Sequence, residues 1–126
     1  MNLKNGIAKI ASFILATKAS KIVFELLPWN LIVGVDHDTN KSLEGSYVRE
    51  STEPIWTQLN GENFIWAEKQ WITTGYKWMI GSSRSDKIFC SINEATAEGP
   101  GMSTKWEYFN TPGERKSYID VKPGKQ

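Results

Sequence analysis

The chain has 126 residues, a formal net charge of +1, one cysteine and one histidine. That length sets a single domain as the expectation, with one buried core and room for an appended arm. A near-neutral balance removes the global field that draws nucleic acid, and a lone cysteine rules out an internal disulfide, which favours a reducing, intracellular or organellar compartment.

Residues 1–28 make the first unit. Ile7, Ala8, Ile10, Ala11, Phe13, Ile14, Leu15 and Ala16 are followed by Ile22, Val23, Phe24, Leu26 and Leu27, with no glycine or proline until Pro28. The spacing Ile7, Ile10/Ala11, Ile14/Leu15 predicts a helix from about residue 5 to residue 27. Lys9, Ser12, Lys18 and Lys21 are spread around its wheel, so it is apolar on more than one face. Lys4, Lys9, Lys18 and Lys21 face only Glu25 here, and the remainder of the chain is net acidic. Lys9, Lys18, Lys21 and Glu25 interrupt the run too often for a membrane span. Its basic, Ser/Thr-rich character resembles an organelle targeting segment, although arginine is missing. The remaining roles are packing on the chain's own β domain and docking on a partner protein or membrane surface. For docking, the candidate partner-binding residues are Ile7, Ile10, Phe13, Ile14, Lys18 and Lys21.

From residue 29 to 121 the period changes to two, and five of the six tryptophans fall between Trp56 and Trp106. Strands are expected at Leu31–Val35, Ser46–Arg49, Ile55–Gln58, Asn63–Glu68, Gln70–Thr73, Tyr76–Ser82, Lys87–Ile92, Trp106–Phe109 and Ser117–Val121. Asn60-Gly61 signals a type I′ hairpin, with φ > 0 at both positions, and Thr74-Gly75 a second tight turn. Residues 122–126 read as a frayed polar tail. Strands joined by short turns predict a mainly β fold, a small antiparallel meander or barrel-like sheet carrying an N-terminal α-helix.

Alternation assigns faces. Phe64, Trp66 and Glu68 share one face against Ile65 and Ala67; Trp78 and Ile80 oppose Met79; Ile88, Cys90 and Ile92 oppose Phe89 and Ser91. The expected core is Tyr47, Trp66, Trp78, Ile80, Ile88 or Phe89, and Trp106. Trp56 and Trp71 are then the tryptophans expected to be partly exposed.

Gly45-x-Tyr47, Pro54-Ile55-Trp56, Phe64-Ile65-Trp66, Trp78-Met79-Ile80-Gly81, Ile88-Phe89-Cys90-Ser91, Pro100 and Trp106 follow one another in order. Over residues 43–109 this resembles a short Trp-rich β module of multidomain eukaryotic proteins, many from algae and aquatic animals. That module reads roughly N-G-x-Y, G-x-P-x-Y, I-x-W, W-x-I-G, Y-x-S, P, W. The chain departs from it at Glu44, where the module has Asn, and at Trp56, where it has Tyr. The resemblance implies a non-catalytic β module, and brings with it no ligand and no catalytic residues.

Motifs for chemistry are sparse. Asp36-His37-Asp38-Thr39-Asn40 opens like a calcium loop, but Lys41 and Tyr47 stand where such a loop needs Gly and Glu. One His and one Cys cannot supply a zinc site. Glu50/Glu53 and Glu62/Glu68 are the carboxylate pairs that glycoside hydrolysis would need, with nothing to place either in a cleft. No cofactor motif is present. Trp66, Lys69, Trp71, Lys77, Trp78 and Arg84 interleave cations with aromatics, a pattern that stacks bases or sugar rings. The acidic balance of this half argues against nucleic acid. The sequence therefore points to a non-catalytic structural or interaction subunit, docked through its helix on a partner complex or a membrane surface. The alternative is a carbohydrate-binding module using Trp56, Trp71 and Lys69.

Overall fold

The computed structural model describes residues 27–36, 38–70, 75–95, 99–101, 104–111 and 119–124. The helix expected over 5–27 lies outside them except for Leu27, which sits in a bend. The strands are β1 Asn30–Val35, β2 Gly45–Arg49, β3 Ile55–Gln58, β4 Phe64–Lys69, β5 Tyr76–Ser83, β6 Asp86–Ser91, β7 Trp106–Tyr108 and β8 Ile119–Pro123. A short 3-10 turn, Asp38–Leu43, joins β1 to β2.

Every pairing is antiparallel, and the sheet order is β7-β6-β5-β4-β3-β2-β1-β8. From β1 to β6 sequential strands are neighbours because short connections leave the chain no other partner nearby. β8 returns to flank β1, with Val33 opposite Val121 and Val35 opposite Ile119. The sheet curls into a nearly closed barrel whose edges are β7 and β8.

Side chains at alternate positions fill the inside. Arg49, Trp56, Ile65, Ile80, Phe89 and Tyr108 form one lateral row across β2 to β7. Leu31, Val33, Val35, Tyr47, Ala67, Trp78, Trp106, Ile119 and Val121 complete the same core. Leu27 belongs to it as well, 2% exposed, just ahead of Pro28. Trp56 and Trp78 meet edge to face with centroids 5.6 Å apart, and Phe89 stacks on Tyr108 at 4.6 Å. Both separations are the preferred ones for aromatic pairs.

Several sequence expectations need correction. Trp66 is buried as expected but on the opposite face from Trp78, because it pairs with Met79 and so shares that residue's side of the sheet. Trp56, expected to be partly exposed, is fully buried, since its position on β3 points into the barrel beside Ile65. Of the two expected alternatives Ile88 and Phe89, the core residue is Phe89, while Ile88 is half-buried. Gln70–Thr73 is not the hairpin partner of β5. β4 continues to Lys69, which pairs with Tyr76, and Gln70 N–H donates to the Gly75 carbonyl, so Gln70 belongs to the connection; residues 71–74 lie outside the described set. The C-terminal residues expected to fray are partly laddered: Lys122 pairs with Ile32, Pro123 with Leu31, and Gly124 N–H donates to Asn30 O.

The Asn60-Gly61 turn exists between β3 and β4, but it is not type I′. Only Asn60 has positive φ there, at 58°. The turn is closed by Gln58 N–H donating to Asn63 O and by the Gln58 side chain. Gln58 Oε1 accepts from Asn63 N and Nδ2, while its Nε2 donates to the carbonyls of Ser42 and Glu44. Glycine is needed at 61 because a Cβ there would land on the Gln58 amide.

Candidate functional site

Three regions could act on another molecule: the barrel interior, the outside of β1 and β2, and the outside of β4 to β6. The interior is packed. Trp56, Trp66, Trp78, Trp106, Arg49, Tyr47 and Phe89 are the largest fully buried side chains, and all but Trp66 point inward. Tyr47 donates its hydroxyl to Leu43 O at 2.7 Å, and burial pushes its phenol well above the ordinary value. Arg49 is 2% exposed. Its Nη2 donates to Leu27 O at 2.6 Å and its Nη1 to Thr52 O at 3.2 Å. Its guanidinium lies 4.2 Å from the Trp29 ring centroid and 5.9 Å from that of Trp56. Burial lowers its pKa, yet an arginine starts so high that it stays charged. Arg49 thus pins the Leu27–Trp29 entry to the barrel end by hydrogen bonds and cation–π contact. The Trp56 indole N–H adds a bond to Pro28 O at 2.9 Å.

The outside of β1 and β2 is bare and apolar. A groove of about 400 Å³ is lined by Asn30, Leu31, Ile32, Ser46, Val48, Leu59 and Gly124. Ile32 is 38% exposed and Leu59 52%, and Trp29, next to Asn30 in the chain, is 44% exposed. These three are the large apolar side chains open to solvent among the described residues.

The outside of β4 to β6 is apolar too, but covered. Ile55, Trp66, Met79 and Cys90 stand opposite one another across four strands, with Glu107 next in line. Phe64, Trp66, Met79 and Cys90 are all buried, packed with half-buried Ile55 and Phe109. Lys87 bridges this row to its rim, pairing with Glu68 and lying 4.8 Å from the Phe109 centroid. The Cys90 thiol is pushed up, by burial first and then by Glu107, whose carboxylate is 4.0 Å from the sulfur. Burial and Glu107 outweigh the opposing pull of Lys77 and Lys87, so the thiol is not activated.

Of the sequence-predicted site residues, the two that are described do not share a site. Trp56 is inside the barrel, while Lys69 is exposed at the end of β4. Trp71, Ile7, Ile10, Phe13, Ile14, Lys18 and Lys21 lie outside the described residues. Of the calcium-like stretch, Asn40 is buried and donates its side-chain amide to Tyr108 OH at 3.1 Å, so it is engaged elsewhere. Among the described residues no group of three or more His, Cys, Asp or Glu could hold a metal ion. Sequence reading missed Trp29, Ile32 and Leu59. A signal existed for Ile32: Leu31-Ile32-Val33 is apolar at consecutive positions, so one of its faces has to leave the core.

Compared with protein-family models, curated proteins and solved structures, the chain matches none of them.

Proposed function

We propose that this chain is a non-catalytic interaction subunit, a filled β barrel that docks on a partner protein through apolar surface carried outside the barrel. The observation that carries this reading is the bare flank of β1 and β2, where Ile32 and Leu59 are exposed beside a groove. Contiguous exposed apolar surface is costly in water and marks interaction sites. Leu27 and Pro28 join this flank, through Trp29, to the segment bearing Ile7, Ile10, Phe13, Ile14, Lys18 and Lys21, so the two proposed docking surfaces are adjacent in the chain. A non-catalytic role is supported by the raised Cys90 thiol and by Glu68, which is tied to Lys87.

The test is capture of a partner from source tissue by the full chain and by an Ile32→Lys/Leu59→Lys double variant. Both positions are solvent-exposed, so the variant should fold normally and lose the partner. Equal capture by a folded double variant would sink this docking surface. Co-sedimentation of the purified chain with anionic liposomes would move the reading to a membrane surface, where each Lys contributes about 1 kcal/mol. The carbohydrate alternative keeps Lys69 and Trp71 but loses Trp56, whose ring is enclosed. A glycan panel probed with the full chain tests it.

A further inference from the structure

Asparagine followed by glycine is a chemically labile pair as well as a turn former. A glycine brings no side chain to shield its peptide nitrogen, and its backbone rotates freely, so that nitrogen can reach the asparagine side chain. Among the described residues Asn60-Gly61 is the pair of this kind. Both residues are exposed, in the turn between β3 and β4. No hydrogen bond among the described residues holds the Asn60 side chain. The amides of Asn40 and Asn63, by contrast, are buried and donate to Tyr108 OH and to Ser42 O and Gln58 Oε1.

We propose that Asn60 is a site of spontaneous modification, converting to aspartate or isoaspartate by attack of the Gly61 nitrogen, and that conversion dismantles the turn that carries Leu59. The Gly61 nitrogen gives its proton to hydroxide and bonds to the Asn60 side-chain carbonyl carbon. The bond from that carbon to the side-chain nitrogen breaks, and ammonia leaves with a proton taken from water. Water then opens the cyclic imide. Addition at the side-chain carbonyl gives aspartate. Addition at the main-chain carbonyl gives isoaspartate, in which the backbone runs through the former side chain. One water enters, one ammonia leaves, and nothing is oxidised or reduced.

Two neighbours give the site its control and its consequence. Gln58 lies against Gly61, where a Cβ would land on its amide, and that amide bonds Ser42, Glu44 and Asn63. Attack needs the 60–61 peptide to swing toward the side chain, so the Gln58 contact is the brake on the reaction. Isoaspartate adds a carbon to the main chain between residues 60 and 61, which moves Gly61 off that amide. Leu59 stands between Gln58 and Asn60; it is 52% exposed and lines the groove on β1 and β2. Either product also sets a new negative charge beside it, and a charge is costly to bury in an apolar contact. The effect on docking rests on the function proposed above; the conversion itself does not.

The full chain, kept native in warm, mildly alkaline buffer, tests this by peptide mapping with mass spectrometry. Mapping separates Asn60 from Asn5, which also precedes a glycine. Asn60 should convert, faster as pH rises, while Asn40 and Asn63 stay intact. Asn60→Gln should block conversion at that position, since glutamine would have to close a larger ring. Gln58→Ala should speed it at least about fivefold, because the opened turn is the reactive state. In converted protein the Leu59 amide, which donates to Ser46 O at 2.9 Å, should exchange faster than in Asn60→Gln aged alongside. An Asn60 that stays intact in the native chain while it converts in the urea-unfolded chain overturns the proposal. So does full conversion that leaves Leu59 exchange unchanged. Partner capture separates the two readings. If aged chain captures as well as fresh chain while Ile32→Lys/Leu59→Lys does not, the docking surface stands and its control by Asn60 falls. If the double variant also captures normally, the docking surface falls, and the mapped conversion and Leu59 exchange still decide the modification.

Discussion

The Tyr47 phenol is held in its protonated form by burial at the core, where its hydroxyl bonds to Leu43 O. Its folded pKa lies above its unfolded value, so the stability it contributes is complete below about pH 10 and is lost as pH rises past that point. Urea midpoints should therefore hold steady to about pH 10 and then fall. Tyr47→Phe should lower stability by about 1 kcal/mol at neutral pH, for one lost hydrogen bond, and should flatten the alkaline fall. An alkaline limb as steep in the variant as in the parent would assign the effect to other groups. Tryptophans divide by the same logic of burial. Trp56→Ala and Trp78→Ala should each cost about 3–5 kcal/mol, while Trp29→Ala, at an open position stacked on Arg49, should cost about 1 kcal/mol or less. Thermal melts of the three check this order. At this scale Tyr47, Trp78, Ile80 and Trp106 were legible as core from their apolar bulk together with alternation. It did not reveal Trp56, because alternation sorts a strand into two faces without saying which face is inside.

The β3–β4 hairpin shows how an element can be located correctly and explained by the wrong cause. Asn-Gly marked the turn, and the turn is there, yet Gly61 does not occupy the left-handed region. Its missing side chain makes room for the Gln58 amide, which ties the turn to Ser42, Glu44 and Asn63. Gly61→Val should push that amide out and leave buried polar groups unpaired, a loss of about 1–3 kcal/mol. Gln58→Ala in the same background should then add little, because both changes remove one network. Full additivity in that double-mutant cycle would mean backbone strain is the cause after all. β4 held a different ambiguity. Its run Phe64–Ala67 is buried at four consecutive positions, so both faces are packed, and no two-fold pattern separates inside from outside in such a strand. That is why Trp66 was legible as buried and illegible as outward-facing. The strand boundaries were mostly within a residue or two of expectation. The exception is Gln70, where the continuation of β4 to Lys69 displaced an expected strand.

Over the whole molecule, the meander order follows from turn length, whereas the near closure of the barrel depends on contacts far apart in the chain. β8 reaches β1 across most of the sequence, and no local pattern announces that pairing. The opposite edge, β7, is three residues long and laddered to β6. Asn40, from the turn between β1 and β2, reaches it by donating to Tyr108 OH at 3.1 Å. That bond links the β1 side of the barrel to the far edge strand, so it should set how readily β7 opens. Asn40→Ala removes the donor and should cost about 1 kcal/mol. The effect should be local, because edge elements with few neighbours open before the central sheet. The Phe109 amide, which donates to Ile88 O at 2.9 Å, reports on that opening. Its hydrogen exchange should quicken about fivefold for 1 kcal/mol, while the amides of β4 and β5 keep their rates. If Asn40→Ala speeds exchange equally in β5 and at Phe109, the barrel opens as one unit and the Asn40–Tyr108 contact is not a closure for the edge.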